Sequence, residues 1–230
     1  MLIILAKRGD PAAAWLAERW RSHDAVLVSA ADLSMSGWNM HLASPGKSRA
    51  RIADRDVGIS DIHGVIVRVP GVDCEDLPHI TPADRQYVAS EMTAFLLAWL
   101  SGLPCPVLNC PAPGNLGGPC WRAEEWTHIA ARLGIPVVPV QRRSPGAAVD
   151  WAGVSCEVTV VGEACFGNAS ATLKNHARKL AKAAGTNLLA VRFAESGQGS
   201  AFVSASPWPD LASPEIADAV LQCLPGKPVC

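Results

Sequence analysis

The sequence predicts an open α/β layer followed by an α+β region, on three observations. Short apolar runs rich in β-branched residues, Leu2 to Ala6, Ala25 to Ser29 and Gly64 to Val69, alternate with longer amphipathic or irregular stretches. From Arg85 to Val140 the chain reads as a long helix, a buried strand, a Gly/Pro loop, a second helix and a second strand. After Gly153, three strand-like runs follow, Cys156 to Val161, Leu188 to Phe193 and Ala201 to Ser204, with a helix between the first two and a turn between the last two.

Each element has a local reason. Pro11 suits the first turn of a helix capped by Asp10, with Trp15, Leu16 and Trp20 as its apolar face. The stretch Asp32 to Asp61 is irregular and polar, and its charged run Lys47 to Asp56 suits an outward-facing hairpin. Gly71 to Pro82 is a linker; Thr81 can cap the long helix, with Pro82 at its first position. That helix carries Tyr87, Glu91, Phe95, Leu96, Trp99 and Leu100. Pro106 to Asn109 is the strand, Cys110 to Cys120 the loop, and Trp121 to Leu133 a helix ended by Gly134 before Ile135 to Val140. Gln141 to Gly153 is turn-like. Ala169 to Ala184 is a helix closed by Gly185, and Pro214 to Leu224 a last helix capped by Ser213.

Of the 230 residues, 49% are apolar and 18% charged, which suits a folded chain with a sizeable core. The net charge of −1 gives no bulk attraction to nucleic acid or an anionic membrane. The opening run Met1 to Ala6 is short and its charges follow it, so it reads as a buried strand rather than an export signal; a cytoplasmic protein is expected. The eight cysteines contain no C-x-x-C pair and read as reduced, mostly buried thiols. Cys105, Cys110 and Cys120 bracket one loop, but their spacing matches no zinc pattern, and no metal is expected.

Candidate ligand positions come from placement. Arg68 and Asn109 end strands of the open α/β layer, where ligands gather at carboxyl ends; the alternative for Arg68 is an ion pair with Asp73 or Glu91. Gly117 and Gly118, within Gly114 to Pro119, could cradle a phosphate on backbone N–H groups, or simply make a tight turn; the Lys-Ser/Thr of a P-loop is lacking. Lys174 and Arg178 form a stripe with Lys182, suited to an anionic tail or acidic helix, or to a solvated face. His63, His79 and His128 lack metal spacing, and no nucleophile-elbow pattern supports a hydrolase. Catalytic residues are not identifiable.

Four segments resemble the ATP-grasp superfamily, in its peptide-ligase branch related to ribosomal-protein glutamate ligases and graspetide synthetases. They are Tyr87 to Glu91 with the strand Pro106 to Pro111; Trp126 to Pro139; the cleft strand Glu157 to Glu163; and Ala181 to Gly185 with Leu188 to Phe193 and Ala201 to Leu211. The resemblance implies a pre-ATP-grasp-like α/β layer at 1–80 and a reduced ATP-grasp-like α+β domain at 81–230. It also implies what this chain has lost. Only Gln141 to Ser155 stands where the family has a lid that covers nucleotide. The family's Asp-x-Arg on the cleft strand falls on Ser155 and Glu157. Its metal carboxylates fall on Arg192 and on Ser204-Ala205-Ser206. A carboxylate repels triphosphate, and magnesium-bound ATP needs carboxylates. The expectation is a non-catalytic binding or partner protein with no cofactor, serving a companion enzyme or a peptide, with a homo-oligomer also compatible. The alternative is a trimmed ATP- and magnesium-dependent carboxylate–amine ligase using Glu157, Glu163 and Glu195 as metal ligands.

Overall fold

The computed structural model describes residues 1–138, 154–196 and 199–224. The end of the second strand at Pro139 and Val140, the stretch Gln141 to Gly153 and the tip of the last hairpin lie outside the described residues. The described chain forms two compact units, one of residues 1–118 together with the chain from Leu211 on, the other of residues 119–210.

The first unit is built on a parallel sheet of β1 (Leu2–Leu5), β2 (Ala25–Val28), β5 (Gly64–Val67) and β6 (Val107–Leu108), in the order β2-β1-β5-β6. β1 and β5 are buried along their length, as their unbroken Leu/Ile/Val runs require of strands covered on both faces. Asp10 starts α1 (Pro11–Arg19) by accepting the Ala12 and Ala13 N–H groups at 3.0 and 3.1 Å. Leu16 and Trp20 are buried and Trp15 is only half-buried, with the Arg19 guanidinium over its ring at 5.6 Å. A short α2 (Ala30–Leu33), absent from the sequence reading, follows β2; Asp32 accepts from the Ser29 N–H and Oγ–H. The charged run forms the hairpin β3 (Arg49–Ile52) and β4 (Arg55–Gly58), whose turn holds Ala53 and Asp54 at φ 47 and 60.

The long helix α3 spans Arg85–Ser101, not Pro82 onward. Thr81 instead accepts the Asp84 N–H through its carbonyl, closing a turn, and the Arg85 guanidinium donates to the Ile80 and Pro78 carbonyls. Leu96, Trp99 and Leu100 enter the same core as β1 and β5, and β6 pairs with β5. The first compact unit therefore runs to Gly118, and the helix and strand after the linker complete its sheet. The helix α6 (Pro214–Cys223) also belongs to this unit, tied to α1 by a bidentate Arg19–Asp218 pair at 2.7 and 2.9 Å.

The second unit is an antiparallel sheet of β7 (Val154–Val161), β8 (Ala164–Phe166), β9 (Leu188–Ser196) and β10 (Gly199–Ser206), ordered β10-β9-β7-β8. Two helices, α4 (Ala123–Arg132) and α5 (Ala171–Ala183), cover one face. Their core holds Val158, Val160, Leu189, Val191, Phe193 and Phe202 from the sheet and Trp126, Leu173, Ala177 and Leu180 from the helices. Trp121 lies against Trp126 with ring centroids 4.6 Å apart and planes tilted by 59°, and packs partly buried on this core. Val137 meets Phe202 in one parallel bridge at the sheet edge, where Pro136 donates nothing to a ladder.

Six cysteines, Cys74, Cys105, Cys120, Cys156, Cys165 and Cys223, are free thiols, and of these only Cys105 is buried. Burial pushes the Cys105 thiol up to about 11, which keeps it protonated. Cys110 is disulfide-bonded, against the reduced state expected from the sequence.

Candidate functional site

In the first unit the chain moves from β1 outward to β2, then from β5 outward to β6, so the direction reverses between β1 and β5. The carboxyl ends of those two strands carry Lys7, Arg8, Asp10 and Arg68. Arg68 is largely buried and donates from Nε to Asp10 at 2.9 Å. Its ion pair is thus with the α1 cap, not with Asp73 or Glu91. Asp73 instead takes Lys7 at 2.5 Å, and that hydrogen bond raises the lysine's pKa. Burial pulls Asp10 upward, but the Arg68 hydrogen bond and charge, with the Ala13 and Ala12 amides, outweigh it and leave its pKa lowered.

A depressed carboxylate adds stability that is present above its unfolded pKa, near 3.8, and disappears as pH falls through the lower folded value. Asp10→Ala removes both the cap and the partner of Arg68, and is expected to cost roughly 2–3 kcal/mol at pH 7. Urea midpoints of the wild type and variant should converge in acid below pH 3.8; a gap independent of pH would contradict the assignment.

Asn109 is buried at the end of β6, and the loop behind it is internally satisfied. Ala112 and Asn115 exchange two backbone hydrogen bonds of 2.9 Å, and the Leu116 N–H reaches the Pro70 carbonyl at 2.8 Å. The Asn115 Oδ1 accepts the Gly117 N–H at 2.9 Å. Gly118, at φ 114, sits so close to Asn109 that a Cβ would come 3.0 Å from the asparagine Cβ. These glycines let the loop fold against Asn109. Both are buried, and Gly117's amide is already used, so the arrangement is a tight turn rather than a phosphate cradle.

The second unit gathers the residues that the resemblance matched to nucleotide chemistry. In the β7–β9–β10 register, Glu157 lies opposite Arg192, and Arg192 opposite Ser204. Thr159 lies opposite Ala190, and Ala190 opposite Ser206. Directly opposed residues share a face, so all six stand on the face away from α4 and α5. There the Arg192 Nε donates to Glu157 Oε2 at 2.7 Å, with the two side chains 53% and 33% exposed. An irregularity between Phe202 and Ser204 sets this alignment: it keeps Phe202 with the helices while bringing Ser204 beside Arg192.

On this face the Glu157 carboxylate is already engaged by the Arg192 guanidinium. Glu195 pairs with Ser200 and follows the alternation of Phe193, placing it on the other face from Glu157, while Glu163 lies in the β7–β8 turn. The three glutamates of the ligase alternative are therefore not assembled. Among the described residues no group of three or more His, Cys, Asp or Glu is placed to hold a metal ion.

On α5, Leu173, Ala177, Leu180 and Ala181 face the core. Lys174 and Arg178 flank that seam half-buried, and Lys179 and Lys182 are exposed. No ion pair of the described residues involves these four. Burial lowers the pKa of His176, and nearby Lys179 adds to it. The helix thus presents a basic flank. The sequence reading missed Lys7 and Asp10, although polar residues directly after the first buried strand mark its carboxyl end.

The parallel layer and the antiparallel sheet with its two helices together have the ATP-grasp fold. Macrocyclase MdnC from Microcystis aeruginosa MRC, solved with precursor peptide MdnA, aligns over 99% of this chain and 100% of its own, with TM-score 0.66 and 12% identity. ATP-grasp ligase PsnB, solved with precursor peptide PsnA2 and AMPPNP, aligns over 96% of both chains with TM-score 0.68 and 12% identity. A RiPP-associated ATP-grasp ligase of Chryseobacterium gregarium, solved with ADP and a leader and core peptide, gives TM-score 0.65 at 10% identity over 97% of this chain and 96% of its own. No protein-family profile matches the sequence, and no curated protein does. No helix among the described residues is long and apolar enough to cross a membrane.

Proposed function

We propose that this chain is a non-catalytic descendant of a peptide-modifying ATP-grasp ligase, and that it works by binding a peptide or a companion enzyme. The observation that carries this reading is the Glu157–Arg192 pair. A ligase needs a cation for the transferring phosphate and carboxylates for its metal. Here both charges are present in exchanged places and consume each other. The fifteen residues between Val138 and Val154 support the same reading, since a covering helix and hairpin need more chain. The peptides in the MdnC and PsnB structures make a peptide the preferred partner class.

Isothermal titration with Mg-ATP is expected to give no saturable heat at tens of micromolar protein. Micromolar affinity would reject the reading in favour of a trimmed carboxylate–amine ligase. That alternative also requires ADP release in the presence of peptide.

A further inference from the structure

The first unit contains a cavity of about 820 Å³ that Arg68 does not line. It opens beyond the carboxyl ends of β1 and β2, among Lys7, Arg8, Asp32, Glu75, Asp76 and the β3–β4 turn. Met35 also lines a second hollow of about 380 Å³, whose other walls are Leu33, Trp38, Glu91, Met92, Phe95 and Leu96. Met35 itself is 60% exposed. The sequence gives no structural reason for leaving such a side chain in water at the junction of two hollows.

The charges at this groove do not cancel. Lys7 is held by Asp73, and Arg51 lies 3.8 Å from Asp54 in the hairpin turn. His79 is occupied by Ser34 Oγ at 2.8 Å. Asp32 and Asp76 accept backbone N–H groups from Ser29 and Asp73. Glu75 and Glu91 are exposed, and Lys7, held by Asp73, also feels the charges of Asp76 and Glu75 through space. Among the described residues no ion pair engages Asp32, Glu75, Asp76, Glu91 or Arg8, so four carboxylates stand there against the one cation Arg8.

We propose that this groove binds a peptide segment in which a large apolar side chain is flanked by lysine or arginine. The apolar residue would fill the Leu33–Trp38–Phe95 slot, and the basic residues would meet Glu91 on one side and Glu75 with Asp76 on the other. An elongated site with one apolar and one acidic compartment suits a chain better than a compact ligand. The excess of carboxylates selects basic over acidic sequences. This deepens the binding-protein reading by naming the partner's chemistry.

The test is selection of a randomised octapeptide display library on the full chain, with the double variant Glu75→Gln/Glu91→Gln and the single variant Met35→Ser as counter-selections. These side chains are exposed, and unchanged melting temperatures will show that the variants fold. Lys or Arg next to Leu, Phe or Met should be enriched on the wild type. Titration of one enriched peptide should weaken by up to about fivefold for each carboxylate removed, and weaken further in high salt. Enrichment of acidic peptides, no enrichment, or equal selection by the wild type and variants would overturn the proposal. The Mg-ATP titration is independent of this outcome, so failure here leaves the nucleotide result standing.

Discussion

Replacing Phe193 with alanine is expected to destabilise the second unit by about 3–5 kcal/mol. Phe193 is fully buried and lies directly opposite Phe202, also fully buried, on neighbouring strands beneath α4 and α5. Truncation removes the contact area of one ring and leaves the other facing a void that β9 and β10 cannot close without breaking their ladder. The Trp121–Trp126 pair packs on the same core and supplies the signal: its fluorescence in a urea titration should report an earlier midpoint. Tyr87→Ala, at a side chain 69% exposed on α3, should stay within about 0.5 kcal/mol of wild type. A loss below about 1 kcal/mol for Phe193→Ala would mean that this core is not packed as described.

Gly167→Ala should be nearly as damaging, for a different reason. Gly167 follows β8 with φ 113, a conformation open to glycine and closed to alanine. An added Cβ would also stand 2.3 Å from the Glu157 carbonyl oxygen. The obstacle is backbone inside a sheet, so β7 or β8 must shift to clear it. The expected cost is about 2–4 kcal/mol, from strain plus the disturbed pairing. Gly134→Ala provides the contrast: it too has a positive φ, 72, but no atom lies within 4 Å of an added Cβ, so only the backbone term of about 1–2 kcal/mol applies. Equal losses from the two substitutions would show that the close approach to Glu157 does not exist.

Most of the fold was legible because its signals are local. Asp10-Pro11 announces α1, and the unbroken apolar runs of β1 and β5 announce buried strands of an α/β layer. The charged run before Gly58 became the β3–β4 hairpin as expected. What failed were boundaries set by partners. The Thr81-Pro82 pair has the chemistry of a helix start, but the turn through Asp84 and the grip of Arg85 on Ile80 and Pro78 delay α3. The linker before residue 82 looks like a domain border, yet α3 and β6 return to the first core, which no local pattern reveals.

Candidate positions were legible singly but not their pairings. The sequence singled out Arg68, Glu157 and Arg192; only the fold shows that Arg68 turns to the α1 cap Asp10, and only strand register that Glu157 meets Arg192. The acidic groove was invisible in the sequence because its walls come from the ends of β1 and β2, a hairpin turn and the segment after β5.

The Glu157–Arg192 pair also bears on which substitutions the sheet can accept. Like charges set directly opposite each other on adjacent strands repel and weaken the sheet. An arginine at 157 would put two guanidinium groups face to face, and an acid at 192 would do the same with two carboxylates. Either single charge reversal is therefore worse for the sheet than the present pair, and only a simultaneous change at both positions keeps opposite charges opposed.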